Sequence, residues 1–161
     1  MINAELVARY FLNKDDNRKI FNKNLTNVRG KDCYEGNVKL NKYLHVSQLL
    51  YFTKYDKKLF NDDLYAYHNG AIVKNVQSKF STLYFEHDEV EIKDSKIKNF
   101  LDKIYDCFKN ATIDDLIEIS HEDPAWLEQE DKIYSNAKMN LEKYKRQYKQ
   151  QYKDILEAMD L

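Results

Sequence analysis

The chain has 161 residues, of which 33% are charged, and 26 Lys and Arg against 27 Asp and Glu give a formal net charge of −1. That length can bury a core without disulfides or a metal. The charge balance excludes a global basic field for nucleic acid or an anionic membrane and leaves room only for local patches. No apolar run nears the roughly 20 residues of a membrane span. The opening "MINAELVARYFL" carries an acid and lacks the cationic start and cleavage site of a secretory leader, so a cytoplasmic location is expected.

Three glycines and one proline leave little punctuation and no flexible linker. The expected fold is mainly α: a compact single-domain helical bundle with a minor β element and a long C-terminal helix. Residues 1–136 form its body and residues 137–161 the amphipathic final helix. In chain order, Leu6, Val7, Tyr10 and Phe11 put a first apolar stripe on residues 2–12. Residues 13–36 are polar and Asn-rich and hold both Gly30 and Gly36; they read as a long excursion with one turn of helix around Ile20 and Phe21. Leu40, Tyr43, Leu44, Ser47, Leu50 and Tyr51 then mark one face of a helix, with Asn37 as its cap.

"DLYAYH" alternates and predicts a short strand, with a turn at Asn69-Gly70 and a helix from Ala71 to Phe80. "TLYFEHDEVEI" is expected to form a small hairpin. Ile97, Phe100, Leu101, Ile104 and Phe108 define another amphipathic helix, and Thr112 with Asp115 makes a capping box for the next. Leu141, Tyr144, Tyr148, Tyr152, Ile155 and Met159 step along the final helix, beside Lys143, Lys145, Arg146, Lys149 and Lys153.

"SHEDPAW", Ser120 to Trp126, holds the one proline and the one tryptophan of the chain. A metal or acid–base reading would use His121, Glu122 and Asp123. Three consecutive side chains cannot converge on one ion, and no HExxH or HxH accompanies them. The structural reading makes Asp123 an N-cap before proline at the first helical position. His121 then sits at a helix C-terminus and Trp126 turns into the core. The structural corner is the better reading.

Neither Cys33 nor Cys107 has a CxxC or nucleophile signature, so pairing either with His45, His68, His87 or His121 has little support. Cys107 is expected to be partly buried and Cys33 exposed. His45 reads as a satisfied, partly buried histidine, and the pairs Asp15-Asp16, Asp62-Asp63 and Asp114-Asp115 as solvated turns and helix starts. With three glycines no phosphate-binding loop can be built, and no cofactor, metal or catalytic residue is expected. Tyr144, Lys145, Arg146, Tyr148, Lys149 and Tyr152 have two readings. They form a core stripe with a solvated basic face, or a surface for nucleic acid or a partner protein. A homodimer through the same stripe would also bury it.

Three stretches resemble the Panacea (SocA-like) antitoxin domain, a family also met in prophage-associated proteins. "VKLNKYLHVSQLLYFTKYDKKLF", Val38 to Phe60, is similar to the family's "KLQKLLYF…GKPLF" helix and turn; "DLYAYHNGAIV" is similar to "EAWxYGPVV"; and Ser120 to Trp126 is similar to "LTHxxxPW". Order and spacing agree from Val38 to about Leu127, with residues 13–36 as an insertion. Ala71 departs from the family's proline, and Tyr65 matches its tryptophan position only approximately. The resemblance implies a helical module that neutralises a cognate toxin by direct binding, or acts as an adaptor for it, with no catalysis. The motif residues it marks are Leu40, Leu44, Tyr51, Tyr67, Gly70, His121, Pro124 and Trp126, most of them assigned to the fold.

Overall fold

The computed structural model describes residues 2–135 and 137–161. Helix α1 (Ala4–Lys14) starts where the Asn3 side chain accepts the Leu6 N–H, and Val7, Ala8, Phe11 and Leu12 face the core. Asp62 adds an acceptor for the Ala4 N–H at 2.8 Å.

Residues 13–36 are an ordered build rather than an open excursion. The Asp15 carboxylate is buried and takes the N–H groups of Ile20 and Phe21, which seats the Phe21 ring edge-on against Tyr43. Of the pair Asp15-Asp16, expected to be solvated, Asp15 is therefore an internal clamp. An antiparallel hairpin follows, β1 (Leu25–Val28) with β2 (Lys31–Tyr34). Its turn residues Arg29 and Gly30 have φ of 52° and 83°, the positive pair that matches strand twist in a two-residue hairpin. The segment before the hairpin lies across the start of the next helix, where Glu35 and Gly36 donate N–H to the carbonyls of Asn24 and Asn22 at 2.9 Å. A Cβ on Gly36 would fall 2.1 Å from the Asn22 oxygen, so only glycine fits that crossing. Backbone groups thus do the capping expected of Asn37, and α2 (Glu35–Tyr55) begins earlier than the sequence pattern indicates.

Helix α2 is the axis of the fold. From Leu40 to Thr53 every side chain is buried, Asn41, Lys42, His45, Ser47 and Gln48 included, so no single apolar face describes it. Gln48 shows how such a residue is accommodated: its amide donates to the Phe60 carbonyl and accepts from Leu59 at 2.8 Å. Strands β3 (Tyr65–Tyr67) and β4 (Gly70–Ile72) form a second hairpin, turning at His68-Asn69 with Gly70 at φ 103°. The turn thus comes one residue earlier than the expected Asn69-Gly70. The expected helix from Ala71 begins only at Lys74, because Ala71 and Ile72 are spent on the hairpin.

Helix α3 (Lys74–Phe85) absorbs the first part of the expected "TLYFEHDEVEI" hairpin, and residues 86–94 are irregular. Helix α4 (Ser95–Phe108) buries Ile97, Phe100, Leu101, Ile104 and Phe108 as expected, and α5 (Ile113–His121) opens on the expected Thr112–Asp115 capping box. After the short α6 (Pro124–Leu127), residues 137–139 run beside β3, with Ala66 and Met139 donating N–H to Ala137 and Leu64 at 2.8 Å. The C-terminal residues are helical in two pieces, α7 (Lys145–Gln151) and α8 (Lys153–Ala158), instead of one long helix. The backbone bends at Tyr152, which lets Leu156 and Met159 reach the core. Helices α1, α3, α4, α5 and α7 all pack on α2. No helix among the described residues is long and apolar enough to cross a membrane.

Candidate functional site

The α5–α6 corner carries a dense set of buried hydrogen bonds. Asp123 caps α6 by accepting the Ala125 N–H at 2.9 Å on Oδ1, and the same oxygen accepts the Tyr148 hydroxyl at 2.6 Å. Its Oδ2 lies 2.7 Å from His45 Nε2, and His45 Nδ1 lies 3.0 Å from Ser120 Oγ. A carboxylate only accepts, so Nε2 donates to Asp123, while Nδ1 is hydrogen-bonded to the Ser120 hydroxyl. The Ser120 oxygen then receives the Ala71 N–H at 2.8 Å. Each member of the chain from α7 through α6, α2 and α5 to β4 is thereby paired. Burial first, and then the Asp123 carboxylate, hold the Tyr148 phenol far above its ordinary pKa and keep it a donor.

Next to this network His121 stacks on Trp126 with ring centroids 4.0 Å apart, and its Nε2–H donates to the His68 carbonyl at 2.8 Å. The Trp126 indole N–H donates to the Tyr67 carbonyl at 2.9 Å. Both rings therefore grip the β3–β4 turn. Burial and the nearby Arg29 push the His121 pKa below its ordinary value, which favours the neutral ring that this bond uses.

Ser120, His45 and Asp123 are the residue types of a hydrolytic triad, but the ring nitrogens are exchanged, with Nδ1 towards the serine and Nε2 towards the carboxylate. The site is also closed. All three side chains are 0% exposed, and Gly70 packs so closely on Ser120 that an added Cβ would lie 2.3 Å from Oγ, so the hydroxyl is closed off from solvent. His121, Glu122 and Asp123 do not converge: Asp123 points inward, His121 grips the turn and Glu122 is exposed. No cluster of three His, Cys, Asp or Glu able to hold a metal occurs among the described residues. The thiols are not activated either. Cys33 is half-buried and Cys107 exposed, the reverse of expectation, and desolvation raises the pKa of both, helped at Cys33 by Asp32.

Of the motif residues, Leu40, Leu44, Tyr51, Gly70 and Trp126 are buried, His121 and Pro124 are half-buried and Tyr67 is exposed. In the C-terminal stripe Tyr148 and Tyr152 are buried and cannot stack on nucleic acid. Lys145 and Lys149 both pair with Asp56, while Tyr144 is half-buried and Arg146 exposed. The stripe is covered by its own chain, which removes the reason for a dimer through it. Sequence reasoning missed the links from His45 and Tyr148 to Asp123. The available signal was weak: His45 beside the apolar stripe of α2, and Ser120 and Asp123 three residues apart at a helix boundary.

The family model described as antitoxin SocA-like, Panacea domain, matches residues 40–127. The chain belongs to this family. No curated protein and no solved structure matches it. The match ends at Leu127, so Tyr148, the group that completes the Asp123 network, lies outside the matched residues of the Panacea domain. The hairpin Leu25–Tyr34, whose tip residue Arg29 acts on His121, lies outside it as well.

Proposed function

We propose that this Panacea-domain chain is an antitoxin of a toxin–antitoxin or prophage-associated pair, neutralising a cognate toxin protein in the cytoplasm by covering its surface without chemistry. The observation that carries the reading is the contrast at the corner: its polar groups are spent on one another, while large side chains stand in solvent beside them. Tyr134 is 81% exposed, and Tyr67 and Leu127 are exposed around the buried Trp126. Tyr134 bonds His68, and Lys31 lies 5.4 Å over its ring. Tyrosines with cationic neighbours on a rigid support are the composition of binding hot spots. Leu25 and Phe85 are also exposed.

The test is expression of the neighbouring reading frame alone and together with this protein. Growth arrest relieved by co-expression supports the antitoxin reading. A double variant Tyr67→Ala, Tyr134→Ala should then lose the relief while keeping the wild-type melting temperature. A harmless neighbour, or full relief by the double variant, counts against the function or against the surface respectively.

A further inference from the structure

A cavity of about 230 Å³ lies between β2, the first turns of α2 and the β3–β4 turn, lined among others by Cys33, Asn37, Asn41, Lys42, Asn69 and Gln77. It is smaller than the roughly 300–1,000 Å³ of sites that take drug-sized ligands. Most of its polar groups are already used. Asn41 donates to Asn37 and accepts the Val73 N–H, and Asn37 donates to the Gln77 carbonyl. Two are not. Lys42 is 1% exposed, and its amine, with three donors when charged, gives one hydrogen bond, to the Ala71 carbonyl. Asn69 Oδ1 is a buried acceptor without a donor. Buried groups in this condition call for a partner.

We propose that this cavity is a binding site for a small amino or hydroxy carboxylic acid, whose carboxylate meets the Lys42 amine and whose ammonium or hydroxyl donates to Asn69 Oδ1. An anion here supplies the counter-charge that a buried ammonium lacks. Burial alone lowers the Lys42 pKa to about 7, so carboxylate binding draws a proton onto the amine. Besides Lys42, the charged or titratable groups around the cavity are Lys31, Asp32 and Cys33 on β2, Tyr67 on β3 and His68 on the turn, with His121 of α5 near enough to feel Lys42. The inference stands apart from the antitoxin reading and survives its failure.

The same two groups occur in a free amino acid and at the C-terminal serine of a peptide, so the experiment uses L-serine, L-lactate and N-acetyl-Gly-Gly-Ser as probes. Acetate and ethanolamine carry one group each. Each is titrated into the 15N-labelled chain at pH 6.5 and pH 8.5. Saturable shifts at the Ala71 amide and the Asn69 side chain are expected from a bifunctional probe, at least tenfold weaker from the single-group ones and weaker at the higher pH. Tighter binding of serine or lactate assigns a free metabolite, and tighter binding of the tripeptide a chain terminus. Lys42→Met and Asn69→Ala should each weaken binding at least tenfold with the fold intact by circular dichroism. Saturation by no probe, or equal binding by Lys42→Met, leaves the cavity to water and overturns the proposal.

Discussion

Two buried polar regions meet at the β3–β4 turn, and they are built on opposite terms. On one side Asp123, His45, Ser120 and Tyr148 bond one another in a chain that runs through five elements, three of them held directly by the Asp123 carboxylate. On the other, Lys42 and Asn69 keep capacity in reserve beside an open volume. Ala71 belongs to both, giving its N–H to Ser120 and its carbonyl to Lys42. A closed network contributes rigidity and uniqueness, whereas an incomplete one contributes a place for something else. The triad-like set at Ser120 falls on the closed side, with all three of its side chains shut off from solvent.

The sharpest way to break the contrast is Asp123→Ala. It strips the partners from buried His45 and Tyr148 and should cost about 3–5 kcal/mol in urea denaturation, enough to threaten folding. Next comes Gly70→Ala, which sets a Cβ against Ser120 Oγ at φ 103° and should lower stability by about 2–4 kcal/mol.

Lys42→Met should behave in the opposite sense, because it removes an amine whose burial is not compensated. In the unfolded chain Lys42 holds its proton to about 10.5, and in the fold only to about 7. Between those values the unfolded state binds the extra proton, so wild-type stability rises with pH relative to the variant. The advantage of Lys42→Met should shrink by about 2–3 kcal/mol from pH 7 to pH 9, measured by paired denaturation curves. A constant difference would show that Lys42 is charged in the fold. His121→Gln loses a stacked ring and weakens one hydrogen bond, for about 1–2 kcal/mol in a thermal melt. Tyr134→Ala, at the exposed end of the series, should stay within about 0.5 kcal/mol of wild type.

Periodicity made α1, α4 and the capping box of α5 legible, because each turns one stripe inward and shows water the other. It understated α2, since a helix buried on all sides leaves no polar face to set its phase. The Asp123-Pro124 corner was readable from local cap chemistry alone. Its bonds to His45 and Tyr148 were not, because they join residues 78 and 25 positions apart in the chain. The Arg29-Gly30 hairpin was hidden by polar strands that face solvent on one side and carry little alternation. The C-terminal break at Tyr152 has no proline or glycine to announce it.

The enclosure of α2 from Leu40 to Thr53 also bears on how a binding module on the proposed reading could change partner. Its signature residues Leu40, Leu44 and Tyr51 lie in the interior, and a drifting interaction surface need never disturb them. Substitutions at Tyr67, Leu127 and Tyr134 touch little of the packed interior, so on the proposed reading the contact surface can be rewritten while the scaffold is inherited unchanged.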